Sequence, residues 1–307
     1  WEQLSARAGV ACHDLVGWMM WDPQAIAGFE ALGVPNGTGW VVAWRLAPLG
    51  HVAPAAAAAM TYSISPAIVD AVTNLYRTAT DDESVLAVRD AAVEPGLAQI
   101  APGLPERLGT LAPELWRGVD AVHHGARPMF AAHRAARRPG DVESCLSGWL
   151  AANCLRELRG DNHWALCAAA DLDDVEVGLL HSAMVDVADY GGEEWIARSR
   201  GADDDAITAG WARLAEKGFA DGRALNDAGR RFRRRLEAQT DELTVPAWRA
   251  VGVDATTAFC ELVELRHDAF VARIDETAGP RWMPAVRVTD RPGDRGVAEP
   301  DLGSADA

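Results

Sequence analysis

Apolar residues recur along this chain at helical spacing, and over the first 140 residues no pattern of period two competes with it. The pattern predicts a helix over Leu4 to Met20. A second, capped by Asp22 with Pro23 in its first turn, runs to Leu32 before Gly33. GVPNGTG at 33–39 reads as a turn, Trp40 to Leu46 as a short helix, and Val52 to Thr61 and Pro66 to Tyr76 as two more, the latter entered from Ser65. Longer helices are expected over Asp81 to Ile100 and Ala112 to Arg138, joined by the loop APGLPERLG. Beyond Pro139-Gly140-Asp141, the best boundary in the chain, helices are predicted over Val142 to Leu158 and Asn162 to Ala170, broken at Arg159-Gly160-Asp161. Asp173 to Val187 and Ala255 to Ile274 complete the helical set.

Residues 193–244 depart from this monotony. Glu193 to Arg200 supply a helix and Gly201 a turn. Asp203, Asp204 and Asp205 offer capping oxygens to a second helix, in which Ile207, Trp211 and Leu214 form one apolar stripe. Gly218 stops that helix, Asp221-Gly222 is a two-residue hairpin signal, and a long helix runs from Leu225-Asn226 through Thr240. Helix, turn, helix, short ribbon and closing helix is the order of a winged helix-turn-helix. The expected fold is therefore mainly α: a helical N-terminal domain (1–139), a winged helix-turn-helix domain with a short β-hairpin wing (140–275), and a flexible tail (276–307) rich in Pro, Gly, Asp and Arg.

Composition changes this picture in two places. With 307 residues, 49% of them hydrophobic, the chain is long enough for packed cores and too apolar for general disorder. The net charge of −16 opposes attraction to a polyanion, so DNA is a disfavoured partner even for this fold. No apolar run is long enough to cross a bilayer and no secretory leader opens the chain, so a cytoplasmic protein is expected, with no membrane partner. Five scattered cysteines form no CxxC pair and read as buried thiols, not disulfides or zinc ligands. His123, His124 and His133, assigned to one long helix, lack ligand spacing, and His181 reads as a satisfied core histidine; neither a metal nor a cofactor is predicted.

The densest polar constellation is LRELRGDNHWA at 155–165. Arg156 and Arg159 can fork onto a carboxylate or phosphate, and His163 can move a proton near neutral pH, around the break at Gly160. The plainer alternative is structural, with Asp161 capping the helix that starts at Asn162 and Arg159 pairing with it. His13, Asp14, Arg45 and Tyr62 form a second polar group. Trp18, Trp21, Trp40 and Trp44 either wall a pocket or fill a core. Candidate ligand residues are thus His13, Arg45, Arg156, Arg159, Asp161 and His163. Candidate DNA contacts are Thr208 and Arg213 on the second helix of the motif and Arg230, Arg233 and Arg234 on the closing helix. That second helix, however, sets Asp203, Asp204, Asp205 and Glu216 against only Arg213 and Lys217, and the arginine run has Glu237, Asp241 and Glu242 nearby.

With these residues in view, the chain resembles an actinobacterial family of uncharacterised helix-turn-helix proteins often labelled SalK-like, over about residues 5–275. The resemblance rests on RLAPLG at 45–50, SPAIV at 65–69, LRELRGDNH at 155–163 and the stretch from the wing through EAQTDEL at 237–243. Family members have a His before the RGD and a Gly after it, where this chain has Leu158 and Asn162; a family acidic residue corresponds to Gln24. The resemblance implies a helical N-terminal half joined to a winged helix and brings no established activity. Two functions compete: a ligand-responsive DNA-binding regulator, with the helical half as sensor, or a small-molecule-binding protein or cofactor-independent enzyme of bacterial secondary metabolism that uses the winged helix as scaffold. The class of fold favours the first, the acidic charge the second, and the regulator is the leading expectation with the other as its alternative; a homodimer is open in both.

Overall fold

The computed structural model describes residues 1–35, 37–138, 140 and 142–289. Helices α1 (Glu2–Gly17) and α2 (Pro23–Ala31) flank a 3₁₀ turn at Trp18–Trp21, and the Asp22 carboxylate accepts from the Ala25 amide at 2.9 Å as the cap its sequence predicts. α3 (Gly37–Leu46) starts within the expected turn, ahead of Trp40. α4 (Pro54–Thr61), α5 (Pro66–Ala79) and α6 (Asp82–Ile100) follow; Ser65 precedes α5 but its hydroxyl makes no capping bond, and its amide donates to the Arg200 carbonyl instead.

The predicted helix 112–138 is two helices. α7 (Leu104–Asp120) begins inside the expected loop, because Pro105 in a first turn costs no hydrogen bond, and it carries Pro113 in its interior. A turn through Gly125 and Ala126 (φ +58°) separates it from α8 (Pro128–Ala135), so His123 and His124 lie in a turn and only His133 on a helix.

A larger correction concerns the RGD stretch. α9 (Cys145–Ala169) is one unbroken helix of 25 residues, capped by Ser144, and Gly160 does not interrupt it. A glycine in a helix interior costs only about 1 kcal/mol, and tertiary burial of the surrounding turns outweighs that. α9 is buried on all sides from Gly148 to Arg159, packed along α7, α8 and α1. At its crossing with α7 the backbones touch: a Cβ on Gly148 would lie 2.5 Å from the Leu108 carbonyl oxygen, and one on Gly109 2.4 Å from that of Glu143.

α10 (Asp174–Leu180), opened by a capping box between Asp173 and Glu176, a 3₁₀ turn at His181–Met184 and α11 (Val187–Tyr190) replace the single helix expected there. Then come α12 (Trp195–Ser199), α13 (Asp204–Glu216, capped by Asp203), strands β1 (Ala220–Asp221) and β2 (Ala224–Leu225), and α14 (Asp227–Val251, capped by Asn226). The antiparallel register pairs Ala220 with Leu225 and Asp221 with Ala224, so the two loop residues are Gly222 and Arg223, one position beyond the expected pair. Ile207, Trp211 and Leu214 all face inward. α14 continues well past Thr240 through Pro246, whose missing donor frees the carbonyl of exposed Glu242. The predicted helix 255–274 divides into α15 (Val253–Glu264) and α16 (His267–Thr277).

The main core joins side chains from Ala8 to Val286, with Trp18, Trp40, Trp44, Trp116, Trp149 and Trp248 buried in it; helices from both sides of the stretch 139–141 contribute. Pro139 and Asp141 of that stretch lie outside the described residues. A second core, from Cys167 to Leu236, lies under α10, α13 and the hairpin. Of the tail, Met283 and Val286 are buried in the main core, while 290–307 fall outside the described residues. All five cysteines are free and buried, and among the described residues no helix is long and apolar enough to cross a membrane.

The junction after α12 gives a prediction. Gly201 has φ +102°, and a Cβ there would meet Ile68 Cδ1 at 2.6 Å and Ser65 Cβ at 2.7 Å. Gly201→Ala should destabilise the protein by about 2–4 kcal/mol, from backbone strain and overpacking together. Gly218→Ala, also at positive φ but in open space, should cost only about 1 kcal/mol in the same urea titration. Equal midpoints for the two variants would contradict a packed α12–α5 junction.

Candidate functional site

Burying α9 carries a row of charged side chains into the interior, and each must find a partner there. Glu157 takes two guanidiniums. Arg45, at the end of α3, binds it with both prongs, at 3.0 and 2.9 Å, and Arg156 donates to it at 2.6 Å. Burial opposes ionisation of Glu157, but these two cations hold it well below the usual carboxylate range. The same anion leaves Arg45 raised in spite of burial. Arg156 carries less compensation: burial pulls it down to about 10, and its Nε has no partner.

One and two turns further along, α9 meets α14. Arg159 donates from Nε to Asp241 at 2.9 Å and from Nη2 to Glu237, whose other oxygen accepts from Arg233. The neighbour predicted for Arg159, Asp161, points elsewhere. Its Oδ2 accepts from the Phe130 amide at 2.9 Å, so it caps the first turn of α8 and not a helix of its own. Asn162 accepts from Arg127 and donates to Thr244.

His163 meets Thr240 at 2.9 Å through Nδ1. Because the threonine hydroxyl already donates to the Leu236 carbonyl, it accepts here, so the proton sits on Nδ1 and Nε2 is left as an acceptor. Burial, reinforced by Arg233, lowers this imidazole to about 3. His133 is held the same way, between Asn153 and the Arg45 carbonyl, and burial lowers it to about 4.

Of the six predicted ligand residues, five thus belong to buried networks, with Arg156 and Arg159 engaged by acids that sequence spacing did not single out as their partners. The sixth, His13 on α1, has a buried Nδ1 without a partner and is kept neutral by burial and by Arg156 and Arg159. Asp14 pairs with His267, and Tyr62 stacks on Trp164 while donating to the Leu172 carbonyl. Trp18, Trp40 and Trp44 are core, and only Trp21 keeps part of its surface.

Two residues at the centre escaped the sequence reading. His181, expected to be satisfied, has a buried Nε2 with no partner. Arg200, at the end of α12, is half-buried, and no carboxylate lies within ion-pair distance of it among the described residues. Burial lowers its guanidinium to about 10, and the positive charges of Arg233 and Arg45 push in the same direction. Nothing along the chain relates position 200 to 45, 181 or 233; only Gly201 beside it marked the turn that aims it inward. Several of these groups, though surrounded by protein, keep accessible surface: 22% of the Glu237 side chain and 13% of that of Arg45. Accessible surface on side chains that protein surrounds marks an internal cleft, bordered by Arg45 of α3, Arg200 at the end of α12 and Glu237 of α14.

The candidate DNA residues are spread differently. Arg233 is only 5% exposed and turned into this cleft, away from any surface that a duplex could reach. Arg213 is bound to Asp173, Lys217 to Glu176 and Arg230 to Glu193. Thr208 is exposed on α13 and donates to the Asp204 carbonyl; Arg234 is exposed on α14. No group of three or more His, Cys, Asp or Glu among the described residues is arranged to hold a metal ion.

A family model described as a helix-turn-helix family matches residues 5–276. Neither a curated protein nor a solved structure matches the chain.

Asp161 supplies a pH prediction. Burial raises its carboxyl from 3.8 to about 7. Between about pH 4 and about pH 7 the folded protein therefore holds a proton that the unfolded chain has lost, and stability falls as pH rises through that window. Asp161→Asn keeps an oxygen for the Phe130 amide and removes the titration. Relative to the wild type it should gain roughly 1–3 kcal/mol between about pH 5 and about pH 8 in denaturant titrations. Parallel curves would mean that Asp161 is ionised throughout.

Proposed function

We propose, from the premise that the chain belongs to a helix-turn-helix family, that its winged helix-turn-helix is a framework for a small-molecule site and not a reader of DNA. RLAPLG and LRELRGDNH support placing it among SalK-like actinobacterial proteins within that family. A helical half (1–139) and a winged-helix segment (140–275) that share one core go with this reading, as does a cytoplasmic setting.

The observation that carries it is the outward face of α13. In a winged helix this is the element that enters the major groove. Here its exposed positions are Asp204, Asp205, Thr208, Ala209, Ala212, Ala215 and Glu216, and its cations, Arg213 and Lys217, turn back onto carboxylates of the α10 capping box. The hairpin arginine, Arg223, is bound to Glu194. Such a face repels phosphates where a reader must neutralise them. The charged groups of the interior cleft, by contrast, are arranged as a small polar ligand requires, with forked donors and an imidazole acceptor.

The second reading, a ligand-responsive DNA-binding regulator and in that case a homodimer, is supported by the order of elements and by the exposed Arg231, Arg234 and Arg235 on α14. A mobility-shift assay decides between them. Duplexes from the region upstream of the gene should not bind the protein at roughly 50 mM salt, where phosphate contacts are strongest. A shifted band that vanishes on adding salt and weakens in Arg231→Ala with Arg234→Ala would establish the regulator.

A further inference from the structure

The cleft between α3, α9, α12 and α14 is not electrically balanced. Arg45, Arg156, Arg159, Arg200 and Arg233 enter it or border it, against the carboxylates of Glu157, Glu237 and Asp241. With the Asp161 carboxyl, which acts on Arg45, five guanidiniums meet four acids in the interior, a local excess of positive charge in a protein whose net charge is −16. An uncompensated buried cation is costly, and the usual remedy is a partner. Arg200 has none among the described residues, and neither do Arg156 Nε, His13 Nδ1 and His181 Nε2.

We propose that this cleft binds the anionic oxygen group of a small molecule, a phosphate or a carboxylate, with Arg200 as its principal cation and Arg233 beside it. Three features support the assignment independently. A guanidinium presents its donors as a planar fork that matches both kinds of oxyanion, and Arg200 is the one left with no acid to occupy it. The side chains around it keep surface that water-sized molecules reach, although protein encloses them. The imidazoles of His163 and His181 are kept neutral by burial first, and the positive charges of Arg233 and Arg200 add to it. His163 Nε2 is then an acceptor for a hydroxyl next to the anionic group.

Gly201 fixes the geometry. Its positive φ turns the chain where the Arg200 carbonyl accepts from the Ser65 amide at 2.8 Å, so α12 ends against α5 with Arg200 at the junction. This inference deepens the small-molecule reading and shares its site, yet it does not depend on whether α13 touches DNA.

The test is calorimetric titration of the full chain, in a chloride-poor buffer, with inorganic phosphate and separately with malonate. Saturable binding of at least one is expected, weakened about tenfold or more in Arg200→Gln and unchanged in Arg231→Gln, a surface cation on α14; tenfold corresponds to about 1.4 kcal/mol. Binding of phosphate alone identifies a phosphorylated ligand, and binding of malonate alone an organic acid. A second readout needs no variant: bound anion should shift the imidazole NMR signals of His163 and His181 and leave exposed His51 in place. No saturable binding of either anion, equal affinity in Arg200→Gln, or unmoved His163 and His181 signals overturns the proposal. A positive mobility shift together with anion binding would reject the framework reading and leave the site standing.

Discussion

Ion pairing along α9 is the constraint from which the rest of the arrangement follows. A helix enclosed by α1, α7, α8 and α14 would ordinarily be apolar all round, yet α9 carries Arg156, Glu157, Arg159 and Asp161 at full burial. Removing one member of a buried, hydrogen-bonded ion pair costs about 3–5 kcal/mol, because the other is left charged in a medium that solvates it poorly. Each neighbouring helix is therefore tied to α9 at a defined point. Arg45 fixes α3 through Glu157, Glu237 and Asp241 fix α14 through Arg159, and Asp161 fixes α8 by capping it. Apolar packing alone would tolerate sliding of these helices; directional charge pairs do not.

The same constraint places the cleft. Where α9 and α14 run side by side, their charged faces meet and close almost completely, and the mismatch in number between cations and acids is left at their edge, near Arg200 and Arg233. The aromatic core is set apart from this polar seam. Trp18 and Trp149 both donate to the Leu15 carbonyl, at 2.7 and 3.0 Å, which satisfies their indoles within the core and keeps them out of the cleft.

Short-range signals were legible in the sequence, and long-range compensation was not. Asp22, Asp203, Gly201 and Gly218 were readable as caps and stops because each acts on its own backbone within one turn. The inward stripe of Ile207, Trp211 and Leu214 was readable for the same reason. Gly160 misled, since a local penalty of about 1 kcal/mol is outweighed by the packing of a whole helix that the sequence does not display, and α7 and α14 run through Pro113 and Pro246 in the same way. LRELRGDNH stood out as dense chemistry, but its partners lie on other helices. Arg200 and His181 were invisible as site residues because what defines them is a missing partner in three dimensions.

The distribution of charge in this molecule is the reverse of what a nucleic-acid reader requires. The exposed face of α13 is acidic, the cations Arg213 and Lys217 are held by the carboxylates of Asp173 and Glu176, and several arginines are drawn into an enclosed seam. A buried guanidinium cannot release counterions from a duplex, which is the source of affinity for DNA. It can discriminate sharply among small anions, because desolvation has already been met by folding and each correctly placed oxygen recovers a charge-assisted hydrogen bond. The framework that positions Arg200, the Gly201 turn against α5 at one end and the α9–α14 ion pairs at the other, is rigid for reasons unrelated to any ligand. The site is thus built before it is filled, which is the condition under which binding energy is not spent on ordering the protein.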